Sequence, residues 1–94
     1  YGMRVHFDPE KNERNIRERG LSFEFARDFS FDSALVLVDD RREYGETRYV
    51  ALGYLAERLH VLCFTEAIDG IRVISFRKAN PREVARYAKV QASR

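Results

Sequence analysis

A chain of 94 residues, 45% hydrophobic and 34% charged, supports one modest core, which excludes a second domain and an intrinsically disordered chain. No apolar run is long enough to span a bilayer, no signal-type N-terminus is present and the lone Cys63 cannot build a disulfide framework, so a cytoplasmic protein without a membrane role is expected. The net charge of +2 hides an asymmetry: residues 1–70 hold ten Lys/Arg against fourteen Asp/Glu, and residues 71–94 hold seven Lys/Arg against Glu83 alone.

A basic C-terminal segment suits a polyanionic partner. Only Lys11, Lys78 and Lys89 are lysines, and the planar fork of the many arginines suits bidentate phosphate contacts. A genome's composition would enrich arginine equally well. Tyr1 and Gly2 precede Met3 and are set aside, which gives an expected single domain over 3–94.

In chain order, "RVHF" (4–7) reads as a short strand. Asp8-Pro9 supplies an N-cap and a proline for the first helical turn. The helix runs to about Arg19, where Gly20 ends it. Its apolar stripe is narrow, so docking falls to Asn12, Asn15 and Arg19. Ser22 caps a second, short helix with Phe23, Ala26 and Phe25/Phe29 directed to the core. From Ala34 the period changes to that of strands: 34–38, 47–54, 58–66 and 71–77 are rich in β-branched and aromatic residues. Their short connections imply an antiparallel meander. The last of these connections, "AIDG", contains an Asp-Gly pair that favours a type I′ turn. Asn80-Pro81-Arg82-Glu83 then opens a final helix with a capping box. The order β-α-α-β-β-β-β-α predicts an α+β fold with the two early helices across one face of an antiparallel sheet and the last helix at its edge.

Three stretches, "FDPEKNERNIRERGLSFEFA", "YGETRYVALG" and "IRVISFRKANPREVARY", resemble the BrnT toxins of BrnT/BrnA type II toxin–antitoxin systems. Those toxins belong to the RelE-like ribonuclease superfamily. The resemblance runs from about Val5 to Tyr87. Phe7 stands where the family often has tryptophan, and Ala67 replaces an arginine that often follows Thr-Glu at the end of the penultimate strand. The resemblance implies a RelE-like fold and a metal-independent endoribonuclease that inhibits translation. In such an enzyme the ribose 2′-hydroxyl attacks the adjacent phosphorus and the next 5′-oxygen leaves. It also implies an RNA substrate, neutralisation by a BrnA-like ribbon-helix-helix antitoxin, contact with operator DNA only through that antitoxin, and no cofactor. The alternative is a catalytically weak binding module that acts as co-repressor with its antitoxin.

Charge that develops on phosphoryl oxygens is stabilised by preplaced guanidiniums. Arg77, emerging at the end of the last strand, is the first candidate to bind the scissile phosphate; the competing reading pairs it with Glu83 or Glu66 and gives it a structural role. Strict alternation groups Ile71, Val73, Ser75 and Arg77 on one side and Arg72, Ile74, Phe76 and Lys78 on the other. Arg48 is the second catalytic candidate, and Glu66 is the third, as a proton acceptor or an orienting partner. Secondary RNA-binding candidates are Arg72, Lys78, Lys11, Phe7 and the helix stripe of Arg82, Arg86 and Lys89. For Phe7 the competing reading is core packing, and for the stripe it is a solvated face or an antitoxin-docking surface. His6 and His60 are read as structural or surface residues, the competing reading being a catalytic role for either. Tyr49 and Tyr87 are weaker proton-donor candidates. No set of residues has metal-ligand spacing.

Overall fold

The computed structural model describes residues 3–93; Tyr1 and Gly2, set aside above, and Arg94 lie outside the described residues. The elements are β1 (Arg4–His6), α1 (Pro9–Arg19), two 3-10 helices (Phe23–Asp28 and Phe31–Ser33), β2 (Leu35–Asp39), β3 (Arg48–Leu55), β4 (Arg58–Ala67), β5 (Gly70–Lys78) and α2 (Pro81–Ala92). The fold is α+β, as expected. Among the described residues no helix is long and apolar enough to cross a membrane.

The caps form as the sequence dictates. Asp8 accepts from Glu10 N, Gly20 closes α1 in the left-handed region at φ 65°, and Asn80 and Glu83 make a complete capping box on α2. The second early helix is a 3-10 helix instead of an α-helix. Phe23, Ala26 and Phe29 recur every third residue, the repeat that a 3-10 helix stacks on one side. All three are buried, while Phe25 is exposed.

One sheet has the order β1-β5-β4-β3-β2. β2 to β5 form the expected antiparallel meander, but β1 adds to β5 in parallel, with His6 beside Arg72. The sheet is therefore mixed, because hairpin-length loops fix the direction of consecutive strands only, and β1 reaches β5 from far away in sequence. The β4–β5 turn also differs from the I′ reading. Its central residues are Ile68 and Asp69, with Ala67 opposite Gly70, and neither has the positive φ that a I′ turn requires. Gly70 opens β5 instead, and a Cβ there would collide with the backbone of Arg4.

Both faces of the sheet are covered. On the first face Leu21, Phe23, Ala26 and Phe29 pack on Ala51, Leu62, Phe64, Ile71, Val73 and Phe76. On the second, Ala79 and Tyr87 pack on Leu52, Leu59 and Val61. Thus α2 lies over a face and not at the sheet edge, and its middle is tied to the segment before β2 by Tyr87 Oη donating to Ser33 O at 2.8 Å. α1 follows β5 beyond the end of β1. Asn15 donates to Leu21 O and Phe76 O at 2.9 and 3.0 Å, and Asn12 Oδ1 accepts from Phe23 N at 2.8 Å. Two asparagines thus satisfy backbone groups that no strand pairs, as the scarcity of apolar residues on α1 requires.

A bulge in β5 changes which residues share a face. Cys63 pairs with Ser75 and Phe64 with Val73, so Ile74 is the extra residue. Ile71 and Val73 consequently join Phe76 in the first core, contrary to strict alternation. Arg72, opposite Thr65, and Arg77, opposite Val61, then share the second face with α2. Lys78 is turned to the other side, where it lines a hollow with His60 and Leu21.

Candidate functional site

The half of the second face that α2 leaves open carries the cations. Arg48 lies one step beyond the Tyr49–Phe64 pair of β3 and β4, Thr65 is the next residue of β4, and Thr65 pairs with Arg72 of β5. Asp39 pairs with Arg48 on one side, and His6 lies beside Arg72 on the other. One row across all five strands therefore reads His6, Arg72, Thr65, Arg48, Asp39. With strands about 4.8 Å apart, Arg72 and Arg48 stand roughly 10 Å apart at the backbone. Thr65 lies between them in the row and is buried.

Arg48 is held in place from below. Its guanidinium carbon lies 4.0 Å from the centre of the Tyr44 ring, within cation–π range, and its Nε is 3.4 Å from Glu46. Tyr44 Oη donates to Asp39 Oδ2 at 3.2 Å, and the fork of Arg41 donates to both Asp39 oxygens at 2.8 Å. The Asp39 side chain is only 2% exposed, and the Arg41 hydrogen bonds hold its carboxyl far below the usual carboxylate range. The loop "DDRREYGE", read from sequence as a connection only, thus forms a built support for Arg48. An aromatic residue isolated among charges in that loop was the available signal.

Arg77 makes the ion pair that the competing reading anticipated, and with Glu83. Its two terminal nitrogens donate to the two Glu83 oxygens at 2.9 and 2.8 Å, and Glu83 also accepts from Asn80 N. The pair raises the Arg77 pKa and lowers that of Glu83, chiefly through those hydrogen bonds. Arg77 also lines a cleft of about 260 Å³ at the β5 edge, together with Lys11, Arg14, Arg19, Glu18 and Ser75. The structure therefore brings Lys11 and Arg77 together, two candidates far apart in sequence. On α2, Val84 faces Tyr54 and Leu59. Arg82, Arg86 and Lys89 fall on the opposite flank by helical period, and all three are exposed.

Three candidates sit elsewhere: Lys78, on the first face as described above, Glu66 and Phe7. Glu66 pairs with the buried Ile71 on the first face and accepts from Tyr49 Oη at 3.2 Å. It therefore does not orient Arg77, and its hydrogen bond raises the Tyr49 pKa, which makes Tyr49 a poorer acid. Phe7 packs edge-to-face on Phe23, ring centres 5.9 Å apart, against the first core, which is the packing role. Cys63 is buried, and burial pushes its thiol pKa up. Among the described residues no group of His, Cys, Asp and Glu side chains is placed to hold a metal ion.

A cationic face of this kind fits a protein that handles a polyanion. The model of a family described as ribonuclease toxin BrnT of type II toxin–antitoxin systems matches residues 7–83. The chain belongs to the BrnT family. No curated protein matches it at a significant level. Membership brings an RNA substrate class and an antitoxin partner with it. The position where BrnT sequences often carry arginine, Ala67, lies on the same face as Thr65 and Arg72, at the end of β4 opposite Gly70.

Three carboxylates on or beside this face, Asp39, Asp69 and Glu83, have lowered pKa values through Arg41, His6 and Arg77 respectively. A depressed folded-state pKa gives stability that is present above the ordinary values and is lost as pH falls through them. Melting temperature is therefore expected to be flat from neutrality down to about pH 5 and to drop progressively below it. A scan of melting temperature against pH checks this, with Glu83→Gln and Asp39→Asn each flattening the acid limb.

Proposed function

We propose that this chain is a metal-independent endoribonuclease whose catalytic face is the open half of the sheet beside α2, with Arg48 and Arg72 holding the scissile phosphate and Arg77 and Lys11 extending the cationic track. The single observation that carries the reading is the row in which Arg72 and Arg48 flank Thr65. A phosphate seated there meets two guanidiniums. The charge that builds on its non-bridging oxygens as the 2′-oxygen attacks is then met by groups already in position, and the transition state gains more than the ground state does. The Arg82, Arg86 and Lys89 flank of α2 supplies further phosphate contacts along the strand.

In this reading cleavage of cellular RNA inhibits translation in the cytoplasm, and the fold is a variant of the RelE-like ribonucleases. A BrnA-like ribbon-helix-helix antitoxin neutralises the protein by covering the cationic face, and operator DNA is reached only through that antitoxin. Acidic or aromatic antitoxin residues would complement the row and the α2 flank.

The test uses the purified chain with an oligoribonucleotide and its all-2′-deoxy counterpart, in the presence of excess EDTA. The expected result is cleavage of the RNA, with 2′,3′-cyclic phosphate ends, and none of the deoxy strand. Absence of cleavage, with retained antitoxin binding and operator repression, would replace this reading by that of a co-repressor module.

A further inference from the structure

The middle of the row that binds phosphate lacks a group to take the 2′-hydroxyl proton: its arginines do not deprotonate, Glu66 and Tyr49 lie on the other face, and Asp39 at the β2 end is buried and engaged by Arg41 and Tyr44. The β1 end of the row holds one. His6 Nε2 is 2.8 Å from Asp69 Oδ1, and Arg4 Nε lies 3.7 Å from Asp69 Oδ2. His6 is beside Arg72 in the parallel β1–β5 register, so ring and guanidinium share the open face. The His6 side chain is 42% exposed, which leaves it accessible to a bound strand.

We propose that His6, oriented by Asp69, is the general base of the cleavage reaction; this rests on the ribonuclease reading above. Asp69, its pKa lowered mainly by the His6 hydrogen bond, is an ionised carboxylate and can only accept. It therefore fixes the imidazole proton on Nε2 and leaves the Nδ1 lone pair free, the tautomer a base requires. Nδ1 has no hydrogen-bond partner among the described residues. In the step itself Nδ1 takes the proton of the 2′-hydroxyl as the O2′–P bond forms. The P–O5′ bond breaks with its electron pair on O5′, which takes a proton from water at the open face. The imidazolium that forms is stabilised by Asp69 and returns its proton to solvent.

The charged groups around the ring are Asp69 from the β4–β5 turn, Arg72 from β5 and Arg4 from its own strand. The 3-10 helix Phe23–Asp28 meets this end of the sheet from the other face, through Phe7 and Phe23.

Single-turnover cleavage of an oligoribonucleotide from pH 5 to 9 tests the assignment. Wild type is expected to rise with unit slope and then level off as His6 loses its proton. His6→Gln should fall by about 10² to 10⁴-fold and lose that limb, while binding the 2′-deoxy analogue within about twofold of wild type, since affinity is set by the arginines. Asp69→Asn should fall less and shift the limb. His6→Gly should regain activity with added imidazole, which a purely structural histidine would not. His6→Gln cleaving within about threefold of wild type with an unchanged limb would overturn the proposal while leaving the nuclease reading intact. A wild-type protein that does not cleave would overturn both.

Discussion

Alanine in place of Arg72 is expected to lower RNA cleavage by about 10² to 10³-fold, the usual loss for one preorganised charge stabiliser, while the melting temperature moves by no more than about 4 °C. The small stability effect follows from exposure. Arg72 makes no ion pair among the described residues, and substitutions at such positions stay within about 0.5 kcal/mol. Arg72→Lys keeps the charge and loses the fork, so its loss should be intermediate. Arg48→Ala should match Arg72→Ala in rate and cost somewhat more stability, because it also removes the stack on Tyr44. If both arginines hold one phosphate, their effects are not independent, and the double variant should fall by less than the product of the single losses. Independent, fully multiplicative losses would place them on different phosphates. An Arg72→Ala protein cleaving at wild-type rate would remove the row as the site.

The sequence made the local features legible because they depend on neighbouring residues. Asp8, Gly20, Asn80 and Glu83 act within one turn of chain, and each cap appears where its residue type places it. The family resemblance had the same basis, since the motifs were contiguous. What could not be read depended on pairing between distant strands. The extra residue Ile74 is defined only against Cys63 and Phe64 of β4, and nothing in "IRVISFRK" distinguishes a bulged strand from a straight one. Strict alternation therefore put Arg72 with Lys78 and separated it from Arg77, the reverse of the observed faces. The parallel addition of β1 was hidden for the same reason, and with it the contact that brings His6 to Asp69 and Arg72. Glu66 shows a third limit: its place at a strand end was correct, but only the register decides which face it occupies.

Arg77→Ala is expected to do two things at once, and their separation decides what this residue is for. Its fork is bidentate to Glu83, with the side chains 35% and 23% exposed, so the pair is too shielded to be negligible and too open to count as a buried ion pair. Losing it should cost roughly 1 to 2 kcal/mol, about 4 to 16 °C for a domain of this size. α2 would still be capped, since Glu83 accepts from Asn80 N independently. Cleavage must therefore be measured well below the melting temperature of the variant. If Arg77 also attracts the phosphate backbone, the rate should still be depressed by about 10-fold or more under those conditions, because a paired cation retains part of its field at the cleft. Glu83→Gln gives the complementary result. Its amide oxygen still caps α2, but Arg77 is released from its partner, so stability should fall while RNA affinity holds or rises. An Arg77→Ala protein that melts lower and still cleaves at the full wild-type rate would make the Arg77–Glu83 pair a fastening between β5 and α2, and would leave the chemistry to Arg48 and Arg72.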